Sequence, residues 1–217
     1  MQVVEIQIGS APPPPPPPQI TLGLDLGQPG ETVALAVVET TWSGNVGAHA
    51  LRHLERFVPG VPYSTMLARV REIRAPLHDP PLVLDATSAG APIVERFRDL
   101  PGASTIVVLT NGTGSTREGD IHRVSLRDVV GQAQLCLQEG RLRVSRGLDL
   151  AGELARELRS FRLKQTAATD PVPWRTGASD DLVYACSLAL WQAEEWRPCT
   201  WPEPKHHPFT FGDGSFR

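Results

Sequence analysis

From Ile20 the chain alternates: Ile20, Leu22, Leu24 and Leu26 fall on one side of an extended segment, and Thr21, Gly23 and Asp25 on the other. That two-residue period predicts a β-strand whose second face carries a carboxylate. The turn composition of Gly27 to Gly30, followed by the apolar run TVALAVVET from Thr32, predicts a hairpin partner. A weaker stretch from Ala48 to Val58 reads as a third strand at the sheet edge. Leu67, Val70 and Ile73 then recur at helical spacing, with Ser64 placed to cap that helix and Pro76 to end it.

The pattern changes in the second half. Leu82 to Leu84 form a short apolar run that reaches Asp85, passes through a turn of small residues and enters a helix with Pro92 near its first position. Ser104 to Leu109 is another buried strand, followed by the long polar loop TNGTGSTREGD. Leu126, Val129, Val130, Ala133 and Leu137 mark a helix that Ser125 and Asp128 would cap and Gly140 would close. Asp149 opens a further helix with Leu150, Leu154, Leu158 and Phe161 on one side, and the apolar run after Asp181 predicts a last, buried helix. Strand and helix in this order imply an α/β domain: a central mixed sheet of about five or more strands with helices on both faces.

Composition narrows the class. At 217 residues with 41% hydrophobic content, the chain is long enough for one domain with a full core. We expect a tail with a polyproline spacer over 1–19, the α/β domain over 20–196, and a Pro-rich tail over 197–217. Cys136, Cys186 and Cys199 are odd in number and outside any C-x-x-C pair, so they read as reduced thiols of a cytoplasmic protein. No apolar stretch approaches a bilayer span, and Glu5 stands where a secretory leader would be basic, so a soluble, untargeted monomer is expected. A net charge of −3 excludes a globally basic nucleic-acid binder.

The acids change the picture. Asp25 and Asp85 sit at predicted strand ends, and Asp180 and Asp181 stand together before the last helix. Singly, each has an ordinary explanation as a turn former or helix cap. Together they predict a shared site at one edge of the sheet, because several carboxylates at close range stay ionised only if a cation compensates them. An all-oxygen donor set favours Mg²⁺ or Mn²⁺ over zinc.

LGLDLG, LVLDATSAG and WRTGASDDLVYACSLALW, in this order and separation, resemble the nuclease domain of the large terminase subunits of tailed phages, which has an RNase H-like fold. The connecting stretch from Val124 to Phe161 is similar to the same family. The resemblance covers roughly Ile20 to Glu195. It implies metal-dependent hydrolysis of double-stranded DNA during viral genome packaging, beside a packaging ATPase. By position, Asp25 would bridge two ions, Asp85 would bind one, and Asp181 with Asp180 beside it would complete the site. Two departures stand out. Ser179 occupies the place where the family often has histidine, and the nearest lookalike of a Walker A loop, NGTGST from Asn111, has no lysine.

Arg141, Arg143, Arg146, Arg156, Arg159, Arg162 and Lys164 make one segment locally basic. It is either a solvated helix face with internal ion pairs or a phosphate-binding strip, in which case Arg162, Lys164 and Arg175 would hold DNA near the acids. Trp174, Trp191, Trp196 and Trp201 read as core-packing residues, and the pair His206 and His207 has no assigned role. Three other functions share these features: a Holliday-junction resolvase, a catalytically idle DNA-binding or assembly module on the same fold, and a sugar-kinase or actin-like lobe, suggested by DLGQPGET.

Overall fold

The computed structural model describes residues 16–27, 30–161 and 180–197. Eight strands form one mixed sheet. They are β1 (Gln19–Asp25), β2 (Val33–Ser43), β3 (Val46–Phe57), β4 (Leu82–Asp85), β5 (Ser104–Thr110), β6 (Thr116–Glu118), β7 (Ile121–Ser125) and β8 (Leu142–Val144), in the spatial order β6-β7-β5-β4-β1-β2-β3-β8. The helices are α1 (Tyr63–Arg74), α2 (Ala91–Arg98), α3 (Leu126–Gln138), α4 (Ala151–Ser160) and α5 (Asp181–Glu195).

The alternation read in β1 sorts its two faces into two cores. Leu22, Leu24 and Leu26 join Leu35, Val37, Leu82, Leu84 and Ile106 beneath Met66 and Val70 of α1 and Val94 and Phe97 of α2. On the opposite face, Ala34, Ala36 and Val38 meet Ala185, Cys186 and Ala189 of α5, while Val83 and Val107 meet Tyr184 and Leu188. The second face is lined near β1 by small residues, which lets a backbone come close. A Cβ on Gly23 would lie 2.1 Å from the Ala185 carbonyl oxygen. Consequently α5 is buried at every position from Asp181 to Glu194, and helix layers cover both faces of the sheet.

Several local expectations are corrected. The third strand is not the edge, because β8 pairs with it in parallel through His49 and Leu142. Pro62, at φ −62°, stands at the N-cap of α1, so Ser64 lies inside the first turn and caps nothing. Ser125 occupies the N-cap of α3 but makes no side-chain cap bond. The helix expected from Asp149 starts at Ala151, after Leu150 in a left-handed conformation at φ 64°. Part of the polar loop pairs as β6 with β7. Trp191 is buried as expected, whereas Trp196 is 44% exposed. No described helix is long and apolar enough to cross a membrane.

Candidate metal centre

Asp25 and Asp85 are direct register partners on the adjacent parallel strands β1 and β4. Adjacent strands lie about 4.8 Å apart and partners share a face, so the two carboxylates rise side by side. Both are buried, at 0% and 2% exposure. Each is oriented by the turn that follows it. The Gly27 amide donates to Asp25 Oδ1 at 3.0 Å. The Thr87 amide donates to Asp85 Oδ1 at 2.8 Å, and the Thr87 hydroxyl donates to the same oxygen. Thr87 Oγ1 in turn accepts the Leu109 amide of β5 at 2.8 Å, which ties Asp85 to the next strand.

The row continues across the sheet, since Asp25 pairs with Ala34 on β2 and Ala34 with Arg56 on β3. Arg56 grips Asp181 with two bonds, Nε to Oδ2 at 2.7 Å and Nη2 to Oδ1 at 3.0 Å. At the other end of α5, Glu194 meets His49 at 2.7 Å, and His49 Nδ1 lies 3.0 Å from Thr40, the register partner of Gln19. Therefore α5 runs antiparallel to β1, and Asp181 sits at the Asp25 end. Asp25, Asp85 and Asp181 thus share one face and one end of the sheet, with Asp181 drawn toward β3 by its arginine.

Asp180 occupies the N-cap position of α5 but makes no side-chain cap bond. That duty falls to Glu157 of α4, whose Oε2 accepts the Leu182 and Val183 amides at 3.1 and 3.3 Å. Glu157 Oε1 also takes a bond from Arg56 Nη2. Burial, with the neighbouring charge of Asp181, pushes the Glu157 carboxyl up to about 7, against the pull of Arg56. Glu157 and Arg56 were not singled out as site residues from the sequence. Each lies far from Asp181 along the chain, and no local spacing announces them.

Among the described residues, the group of three whose potential ligand atoms all lie within 4.8 Å of one another is elsewhere: His49, Cys136 and Glu194. It already holds positive charge. Arg141 Nη1 lies 3.2 Å from His49 Nε2 and also bonds Glu194 Oε1, and Arg197 donates to Glu194 Oε2 at 2.7 Å. Two guanidinium groups satisfy this glutamate, so we read the cluster as a structural ion-pair network. Part of the basic segment is likewise consumed internally. Arg141 pairs with Glu139 and Arg156 with Glu153, while Glu157 turns to Arg56 instead. Arg162, Lys164, Arg175 and Ser179 lie outside the described residues, as do Cys199, Trp174, Trp201, His206 and His207.

The donor set by the β1–β4 pair suits a hard cation: oxygen atoms alone, on buried carboxylates held by the backbone turns after them. No protein-family model and no curated protein sequence matches the chain. Solved structures do. The cobalt-bound large terminase nuclease of thermophilic phage G20c superposes with a TM-score of 0.58 at 21% identity, covering 81% of each chain. The manganese-bound large terminase nuclease domain of bacteriophage SPP1 gives 0.50 at 13% identity, covering 81% of this chain and 86% of that one. With the eight-stranded mixed sheet and helices on both faces, the chain has the RNase H-like α/β fold of the terminase large-subunit nuclease domains.

Proposed function

We propose that this protein is a divalent-metal-dependent endodeoxyribonuclease of terminase type, cutting double-stranded DNA during viral genome packaging. The observation that carries the reading is the register pairing of buried Asp25 with Asp85, with Asp181 at the same end of the same face. The metal-bound state of the G20c and SPP1 nucleases supports a cation here.

In this reading Asp25, Asp85 and Asp181, with Asp180 beside it, would hold the Mg²⁺ or Mn²⁺ ions, Asp25 serving both of the two expected ions and Asp85 one of them. When bound, such ions lower the pKa of a water that becomes the nucleophile and stabilise charge on the departing oxygen. The chain's own part is to hold the carboxylates in place. The turns after Asp25 and Asp85 fix one oxygen of each by backbone donors. Asp25 and Asp85 are buried, so bulk water is kept from the floor of the site. Arg162, Lys164 and Arg175 are proposed to hold DNA phosphates. A packaging ATPase is the proposed partner, and the host cytoplasm the proposed location.

The test is plasmid cleavage. Purified protein is expected to nick or linearise plasmid with Mn²⁺ or Mg²⁺, EDTA to abolish the reaction, and Asp25→Asn to lower the rate by at least about 100-fold, as loss of a bridging ligand should. Equal cleavage by Asp25→Asn refutes the assignment. A marked preference for four-way junctions over linear duplex would favour the resolvase reading instead.

A further inference from the structure

The guanidinium of Arg56 lies where a cation would otherwise balance two acids. It bonds both oxygens of Asp181 and one oxygen of Glu157, on a side chain that is only 20% exposed. Asp181 is itself 5% exposed. Paired, planar donation of this kind is specific to arginine and costs both partners their freedom to turn. An ion at the Asp25 and Asp85 end of the face would need an oxygen of Asp181 that now accepts from Arg56, and it would also meet the repulsion of a nearby positive charge.

A second observation shows that the grip can be released without loss of the helix. The first-turn amides of α5 are capped by Glu157 Oε2, not by Asp180 or Asp181. Asp181 can therefore exchange Arg56 for an ion while the helix stays capped. Arg56 is not stranded by the exchange either, because Glu157 Oε1 remains its partner.

We infer that Arg56 is an internal counter-cation that competes with the divalent ion for Asp181, and so sets the metal concentration at which the nuclease loads. This rests on the metal-site reading above. Without metal, Arg56 keeps Asp181 neutralised and held against β3. With metal, Asp181 turns to the ion and Arg56 retains Glu157. The arginine is a positioning residue with an inhibitory sign: removing it should strengthen metal binding.

The experiment measures Mn²⁺ affinity of the full chain from the electron paramagnetic resonance signal of free Mn²⁺, for the wild type, Arg56→Gln, Asp181→Asn and the double variant, each checked for folding by circular dichroism. Arg56→Gln is expected to bind Mn²⁺ at least about tenfold more tightly and to cut plasmid at correspondingly lower Mn²⁺. The gain should vanish in Arg56→Gln/Asp181→Asn. If Arg56→Gln does not fold, Arg56→Lys decides, since it keeps the charge but not the paired geometry: it should show a smaller gain. Unchanged or weaker binding by the folded arginine variant, with binding still lost in Asp25→Asn, overturns the competition while leaving the metal site standing. Absence of Mn²⁺ binding in every form overturns both.

Discussion

Gly23→Ala should be among the most damaging single-methyl additions in this chain. The new Cβ would lie 2.1 Å from the Ala185 carbonyl oxygen, 2.8 Å from the Ala189 amide nitrogen and 3.1 Å from the Ala185 carbonyl carbon. All three are backbone atoms of α5, so no side chain can swing aside. Restoring an ordinary 3.4 Å contact with the oxygen requires a displacement of 3.4 − 2.1 = 1.3 Å. The helix is buried along almost its whole length and rests on Ala34, Ala36 and Val38. Lifting it therefore opens gaps along that seam, and a gap of about 0.5–1 Å already forfeits a quarter to a half of a dispersion well. With an overpacking cost of about 1–3 kcal/mol added to those lost contacts, we expect a destabilisation of at least about 3 kcal/mol. Gly131→Ala is the control: a Cβ there meets nothing within 4 Å, in the middle of α3. It should be neutral or stabilise by up to about 1 kcal/mol. Urea denaturation of both variants measures the contrast, and a Gly23→Ala cost within about 0.5 kcal/mol of the wild type would refute the close packing of α5 on β1. Because α5 carries Asp181, Mn²⁺ binding by any folded Gly23→Ala protein should weaken as well.

Two further outcomes follow from individual hydrogen bonds. Thr87→Val removes a donor from Asp85 Oδ1 and leaves the Leu109 amide without its acceptor; a stability loss of about 1–3 kcal/mol and weaker Mn²⁺ binding are expected, with Thr87→Ser restoring both, read by denaturation and Mn²⁺ titration. His49 is buried, which holds its pKa below the ordinary 6.5 despite the opposing pull of Glu194. The unfolded chain then binds the proton more readily than the folded one, so the share of stability that His49 supplies should fall as pH drops below about 6.5, by at most about 1.4 kcal/mol per pH unit for one group, while Glu157, raised to about 7, acts in the opposite sense over the same range. His49→Gln should remove that falling share, so that between pH 7 and 5 the variant loses less stability on acidification, or gains more, than the wild type, with the like-signed share of His122, lowered by burial and Arg117, still present in both; an identical pH dependence in the two proteins would show that His49 does not stay neutral.

What the sequence revealed was governed by range. Asp25 and Asp85 were legible because strand alternation fixes the face of a residue from its neighbours two positions away, and both close apolar runs that pair in register. The burial of α5 was legible from the continuous apolar run after Asp181. The strand β8 was not, because three residues, Leu142 to Val144, carry no period and are recruited by pairing with β3. Nor was β7, whose polar His122 and Arg123 break any apolar alternation and whose place is set by parallel pairing with β5. Nor was the part of Glu157 in capping α5, for the same reason: it reaches the first-turn amides from a separate helix.

The two ends of α5 show why the acids could be found while their partners could not. Asp181 and Glu194 are both buried carboxylates on one helix, and each must be compensated where it lies. At the far end, Glu194 takes Arg141, Arg197 and His49 together, and Arg141 and His49 hold its pKa down in spite of burial. At the near end, Asp181 shares one guanidinium with Glu157. Glu157 is pushed up to about 7 by its burial and by that same aspartate. The far carboxylate is thus surrounded by positive charge, and the near one is gripped by a single arginine that it shares with another acid among the described residues. Since each carboxylate is compensated by side chains that arrive from other strands and helices, a sequence can announce where negative charge is placed but not what balances it.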